Sequence, residues 1–144
     1  MMNVYLDTSA IVKRYLNEES SDKIEEIFKN IYNGNYKLVI SVIVLGEVSI
    51  VFDKYERKQF IENANLYYSE FINEIDNLTK INSIDIINIT PEKIIKSGKI
   101  CLDKHSPLMD VIHIVSAINS DLFITADKEQ YLIAIDLGLN TLLI

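Results

Sequence analysis

The sequence predicts a three-layer α/β domain, a parallel sheet of about four to five strands with helices on both faces. Three observations carry that expectation. Short β-branched runs alternate with segments whose apolar residues recur at spacings of three and four. Helix start signals, among them Thr90-Pro91 and Ser106-Pro107, open the later helical patterns. At 144 residues the chain has room for one domain, and no Pro/Gly-rich or polar break divides it, so residues 1–144 read as a single domain.

The elements follow in order. Residues 3–6 form a short extended run that stops at Asp7. Thr8 and Ser9 then offer caps for a helix reaching about residue 16. Ser20 and Ser21 precede a second helical pattern on Ile24, Ile27, Phe28 and Ile31, which Gly34 ends. Residues 37–40 read as a buried strand, and Ser41 as the cap of a helix through Val44, Val48, Val51, Phe52 and Tyr55. A further amphipathic helix of about five turns carries Phe60, Ala64, Tyr67 or Tyr68, Phe71, Ile75 and Leu78. Residues 83–89 are rich in isoleucine and predict a strand. Thr90-Pro91 starts a helix to about residue 103, and Ser106-Pro107 another to about residue 119. Residues 122–125 form a strand, 128–137 a helix closed by Gly138, and 141–144 a last strand.

Composition narrows the function. Apolar residues make up 49% and Gly plus Pro number six, which excludes disorder and collagen-like repeats. Against 14 basic residues stand 21 acidic ones, a net charge of −7, so a basic sheath for wrapping duplex DNA is excluded. A local basic rim is not. The single cysteine, Cys101, builds neither a disulfide framework nor a cysteine zinc site. Residues 1–10 lack a signal-peptide pattern, and no apolar run approaches the roughly 18 residues of a membrane span. The expectation is a cytoplasmic protein with no membrane partner.

Open parallel sheets bind ligands beyond the carboxyl ends of their strands, and the acids fall there. Asp7 directly follows the first strand and Asp127 follows the strand 122–125. Glu47 is expected in the second turn of the helix after strand 37–40, and Asp110 in the first turn of the helix after Pro107. Each alone has a plain structural reading as a cap or a charge against a helix dipole. Asp110 and Glu47, however, sit among Leu108, Val111, Ile112 and Ile114, and among Val44, Leu45, Val48 and Val51. A carboxylate on a buried helix needs a partner. Clustered carboxylates repel one another, and a divalent ion relieves the conflict. Oxygen ligands without paired His or Cys favour Mg²⁺ or Mn²⁺ over Zn²⁺, ions that commonly serve phosphate chemistry.

These residues resemble a known family. Val4-Tyr5-Leu6-Asp7-Thr8-Ser9-Ala10, continued by Ile11-Val12-Lys13-Arg14-Tyr15, is similar to the opening of PIN domains, in particular VapC-like toxin ribonucleases. Residues 41–48 around Glu47, residues 110–117 from Asp110, and the Thr125-Ala126-Asp127 that ends a strand resemble the next three acidic motifs, in order across the chain. The resemblance implies a PIN-like fold and an Mg²⁺- or Mn²⁺-dependent endoribonuclease that leaves 5′-phosphate and 3′-hydroxyl ends. It implies catalytic and metal-ligating roles for Asp7, Glu47, Asp110 and Asp127, with Thr8, Ser9 and Thr125 in support. It also implies a homodimer and a small antitoxin partner that blocks the acidic pocket. A housekeeping RNA-processing nuclease and a catalytically silent interaction module are the alternatives within the same fold.

The remaining residues carry plainer expectations. His113, three residues past Asp110, shares its helix face and is expected either to orient Asp110 or simply to pack. Lys13, Arg14 and Lys54, with Arg57, Lys58 and Lys128, offer a rim for RNA phosphates, though solvated helix charges explain each of them. Asp121 precedes its strand and reads as a loop acid, with a place beside Asp127 left open. Tyr67, Tyr68 and Phe71 read as core or interface rather than base-stacking residues.

Overall fold

The computed structural model describes residues 1–144. Strand β1 (Met2–Leu6) lies at the centre of a five-stranded sheet, with β2 (Tyr36–Ser41) on one side and β4 (Leu122–Thr125) on the other. Strands β3 (Ile84–Ile87) and β5 (Thr141–Leu143) form the edges, giving the order β3-β2-β1-β4-β5. All pairings are parallel, so each crossover carries helix and both faces are covered. This is the three-layer α/β fold that the alternation of patterns predicts.

Registry shows how the strands serve two cores. Val4 pairs with Leu38 and Leu122, while Tyr5 pairs with Val39 and Phe123. Side chains alternate across a strand, so Val4, Leu6, Leu38, Ile40 and Ile124 enter the larger core on one face. There they meet α2 (Ser21–Tyr32), α3 (Val44–Arg57) and α4 (Ala64–Lys80) through Ile24, Phe28, Val48, Phe52, Phe71 and Leu78. Tyr5, Val39 and Phe123 point the other way, against Ile114 and Ala117 at α6 (Leu108–Ser116) and Ala134 of α7 (Lys128–Asp136). Helix α5 (Pro91–Lys104) packs on α6 and buries only Ser97. Tyr67, Tyr68 and Phe71 belong to the packing, with Phe71 edge-on to Tyr15 and the Tyr68 hydroxyl donating to the Leu45 carbonyl. No helix is long and apolar enough to cross a membrane.

Local chemistry departs from expectation at several element starts. The helix expected from residue 8 to about 16 is a short α1 (Thr8–Ile11) followed by a 3₁₀ turn, Val12–Arg14. Ser20 caps nothing; instead Ser21 Oγ accepts from Glu18 N–H and donates to the Leu16 carbonyl, tying down the loop before α2. Ser41 belongs to β2, and α3 starts at Val44 without a side-chain cap. Phe60 lies before α4, whose cap is Asn63. Pro107, not Ser106, is the residue before α6, and the Ser106 hydroxyl turns back to the Lys104 carbonyl. Serine bonds its local backbone in several ways, so its presence near a helix start does not select the capping geometry. The caps expected at Thr90 and Asp127 are formed. Gly34 and Gly138 take positive φ where α2 and α7 end, the conformation that favours glycine there.

Candidate active site

The sheet order reverses at β1, whose successive neighbours lead away in opposite directions, and a crevice opens at the carboxyl edge there. Asp7 stands at that point. Its N–H donates to the Ile124 carbonyl at 3.3 Å, which continues the β1–β4 ladder by one step. Its carboxylate caps α1, with Oδ1 accepting from Ala10 N–H at 2.9 Å and Ser9 Oγ at 2.8 Å. Oδ2 accepts from Thr125 Oγ1 at 2.6 Å, across 118 positions of sequence. The side chain is buried, and burial pushes its pKa above the ordinary carboxylate range despite these donors and the neighbouring His113.

Glu47 reaches the same crevice from α3. Because β2 runs through Ser41 and the helix opens at Val44, Glu47 lies in the first turn rather than the second. Its Oε1 accepts from Thr8 Oγ1 at 2.8 Å and faces His113 Nε2 at 2.7 Å. Burial alone would raise its pKa, but the His113 and Thr8 contacts outweigh that and hold it below the usual value. His113 therefore serves Glu47, not Asp110 as helix spacing suggests. Its ring leaves the α6 face toward the sheet, where the Tyr5 hydroxyl meets Nδ1 at 2.7 Å.

Asp110 lies in the first turn of α6, and its pKa is raised first by burial and then by the charge of Asp127, with Asp7 and Glu47 adding to it. Asp127 caps α7 by accepting from Gln130 N–H at 2.9 Å, while Gln130 Nε2 donates to the Asp110 carbonyl at 3.2 Å. Asp7, Glu47, Asp110, Asp127, His113 and Gln130 all line one pocket of about 260 Å³, whose wall also includes Thr8 and Ser9. Thr125 stands behind Asp7, its hydroxyl also accepting from Asp127 N–H at 3.0 Å.

The donors present are those of a hard divalent ion: carboxylate oxygens, with the burial and then the charge of Asp127 that raise Asp110. No three of the acidic, His or Cys side chains stand together as a ready-made metal cage. Asp7 and Glu47 are instead held by hydroxyl, amide and imidazole donors. The residues fit such an ion by chemistry and by their common pocket.

The proposed phosphate-binding cations fare differently. None of Lys13, Arg14 and Lys54 lines the pocket. Lys13 donates to Glu18 and the Glu19 carbonyl. Arg14 is spent on structure: it bridges Glu74 and Glu25 and covers the Phe28 ring at 4.7 Å. The short α1 and the 3₁₀ turn carry it away from the acids toward α2 and α4. Asp121 lies at the opposite edge of the sheet, where Oδ2 accepts from Asn3 N–H at 2.7 Å, so it does not join the pocket. Sequence reading missed Gln130 and Tyr5. Gln130, three positions after a capping Asp, had a readable signal in its helix position. Tyr5 had none, since an aromatic residue in a buried strand reads as core.

A model of the PIN domain family matches residues 4–136. Among solved structures, VapBC2 from Rickettsia felis bound to a DNA fragment from its promoter aligns at a TM-score of 0.64 and 17% identity, covering 98% of both chains. VapC20 from Mycobacterium tuberculosis, described as a sarcin–ricin loop cleaving toxin, aligns at 0.63 and 10%, covering 94% of this chain and 95% of its own. PAE2754 from Pyrobaculum aerophilum aligns at 0.64 and 13%, covering 97% and 83%. At such identities these likenesses concern the fold. Among curated proteins none matches.

Proposed function

This chain belongs to the PIN domain family, and from that premise we propose that it is a divalent-metal-dependent endoribonuclease, the toxin of a type II toxin–antitoxin pair. One observation carries the reading: four carboxylates from separate segments, Asp7, Glu47, Asp110 and Asp127, line a single pocket at the point where the sheet order reverses. A fold alone hosts many functions, whereas that constellation is specific chemistry. The fold neighbours support the RNA target and the partner, one being described as a sarcin–ricin loop cleaving toxin and another as VapBC2 bound to a promoter DNA fragment.

Asp7, Glu47, Asp110 and Asp127 would hold Mg²⁺ or Mn²⁺. When bound, the ion makes water a better nucleophile and offsets charge on the phosphate and the leaving oxygen. Ser9, Thr125 and the Ala10 amide keep Asp7 at the floor of the pocket. Thr8 fixes one oxygen of Glu47, and Gln130 ties α7 to the Asp110 carbonyl of α6, beside the pocket both acids line. Lys54, exposed on α3 about two turns beyond Glu47, is the remaining cation of the three for an RNA phosphate. A single-domain, cytoplasmic, homodimeric protein bound by a small antitoxin completes the proposal.

The test is cleavage of total RNA with and without Mn²⁺, with the product ends mapped. The expected result is cleavage only with the metal, leaving 5′-phosphate and 3′-hydroxyl termini. Undiminished cleavage in excess EDTA refutes the proposal.

A further inference from the structure

A line of hydrogen bonds enters the pocket from the opposite side of the sheet. The Tyr5 hydroxyl lies 2.7 Å from His113 Nδ1, and His113 Nε2 lies 2.7 Å from Glu47 Oε1. An ionised carboxylate only accepts, so Nε2 is the donor to Glu47, and the Tyr5 hydroxyl, which both donates and accepts, completes the hydrogen bonding of the ring at Nδ1. Both inner members are immobilised. Tyr5 is fully buried and His113 is 3% exposed. The Tyr5 ring stands edge-on to His113 at 5.9 Å and to Phe123 at 5.6 Å. Glu47, at the pocket end, is half-buried and carries more rotatable bonds than either Tyr5 or His113. Its Oε1 is shared by His113 and Thr8, while Oε2 has no protein donor.

Core stability does not require this line. Replacing both partners of a buried hydrogen bond by apolar groups of the same shape is often nearly neutral, and Phe and Leu would fill these two positions between Phe123 and Ile114. What the polar pair supplies is direction: a rigid core tyrosine fixes the imidazole plane, and the imidazole fixes one oxygen of Glu47.

We infer that Tyr5 and His113 are positioning residues that hold Glu47 Oε1 so that Oε2 faces the pocket, where a divalent cation would meet it. This rests on the metal-nuclease reading above and deepens it by assigning the orientation of one ligand to a buried two-residue strut. Side chains of this kind, bonded to a ligand rather than to the ion, commonly change metal affinity by about 10–100-fold when removed.

The experiment uses EDTA-stripped full-length protein, Mn²⁺ alone as the titrant in calorimetry, and the Mn²⁺ dependence of RNA cleavage. Tyr5→Phe and His113→Leu are expected to bind Mn²⁺ about tenfold or more weakly, and half-saturation of cleavage should move by the same factor. His113→Gln, which restores a donor to Glu47, should recover most of the affinity, a rescue that a packing defect would not show. The double variant should be no weaker than His113→Leu alone, because Tyr5 acts only through His113. Unchanged Mn²⁺ affinity in folded Tyr5→Phe and His113→Leu overturns the inference, as do additive losses in the double variant. Absence of Mn²⁺ binding and cleavage in the wild type removes the metal-nuclease reading and the strut with it. A wild type that binds and cleaves beside unaltered variants removes the strut alone.

Discussion

Asp7→Asn is the perturbation that separates stability from activity. Asp7 is 1% exposed, and its carboxylate receives three protein donors, from Ser9, Ala10 and Thr125. Asparagine has the same shape. Its oxygen can keep the Ser9 and Ala10 bonds, and its amide can donate to Thr125 Oγ1, whose own hydrogen turns to Ser9 Oγ 3.3 Å away. The polar count is preserved while a buried charge is removed. Because burial raises the Asp7 pKa in the folded state, the folded protein holds that proton more tightly than the unfolded chain, whose value is near 3.8. Wild-type stability therefore falls as pH climbs from about 3.8 toward the folded value, and the variant lacks this slope. The expected gain above that range is about 2 kcal/mol, the order of the desolvation cost of a buried polar group, or about 4–8 °C in Tm for a chain of this size. Urea and thermal unfolding of both proteins in EDTA, from about pH 4 to about pH 8, measures the gap. RNA cleavage in Mn²⁺ should meanwhile be abolished. A variant less stable than wild type at about pH 8, a gap that ignores pH, or retained cleavage would each refute the reasoning.

Two further outcomes follow from other parts of the molecule. Glu74 accepts from Arg14 at 2.9 Å and from the Tyr15 and Tyr32 hydroxyls. Burial alone would raise its pKa, but those donors hold it below the usual value. Glu74→Ala should cost about 2–3 kcal/mol in urea unfolding at neutral pH, less than a wholly buried pair because Arg14 keeps Glu25. That contribution is present above about pH 4.5 and is lost as pH falls through the folded value, so the gap to wild type narrows in acid. Asp121→Asn, altering an acid bonded to Asn3 at the far edge of the sheet, should leave Mn²⁺-dependent cleavage unchanged and stability within about 1 kcal/mol; a large loss of cleavage would return Asp121 to the site.

Much of the pocket is legible in the sequence, because a parallel sheet sends its ligands to one edge and the acids mark that edge. Asp7 at the end of β1 and Asp127 capping α7 are local signals of strand end and helix start. Asp110 and Glu47 were legible through their apolar surroundings. His113 was not: spacing along α6 pairs it with Asp110, while the sheet behind α6 supplies Tyr5 and the neighbouring α3 supplies Glu47. Arg14 shows the same limit, since nothing near it in sequence announces Glu74, sixty positions away.

The order of strands and helices, the apolar faces and the acids at the sheet edge were determined by the sequence itself, because periodicity and capping act over a few neighbouring residues. Which polar atom each acid answers to was decided only in the tertiary structure. The Asp7–Thr125 and Glu47–His113 contacts exist because β4 lies beside β1 and α6 packs over Tyr5. Such pairings join residues 118 and 66 positions apart, and their geometry comes from packing whole layers together rather than from any local pattern.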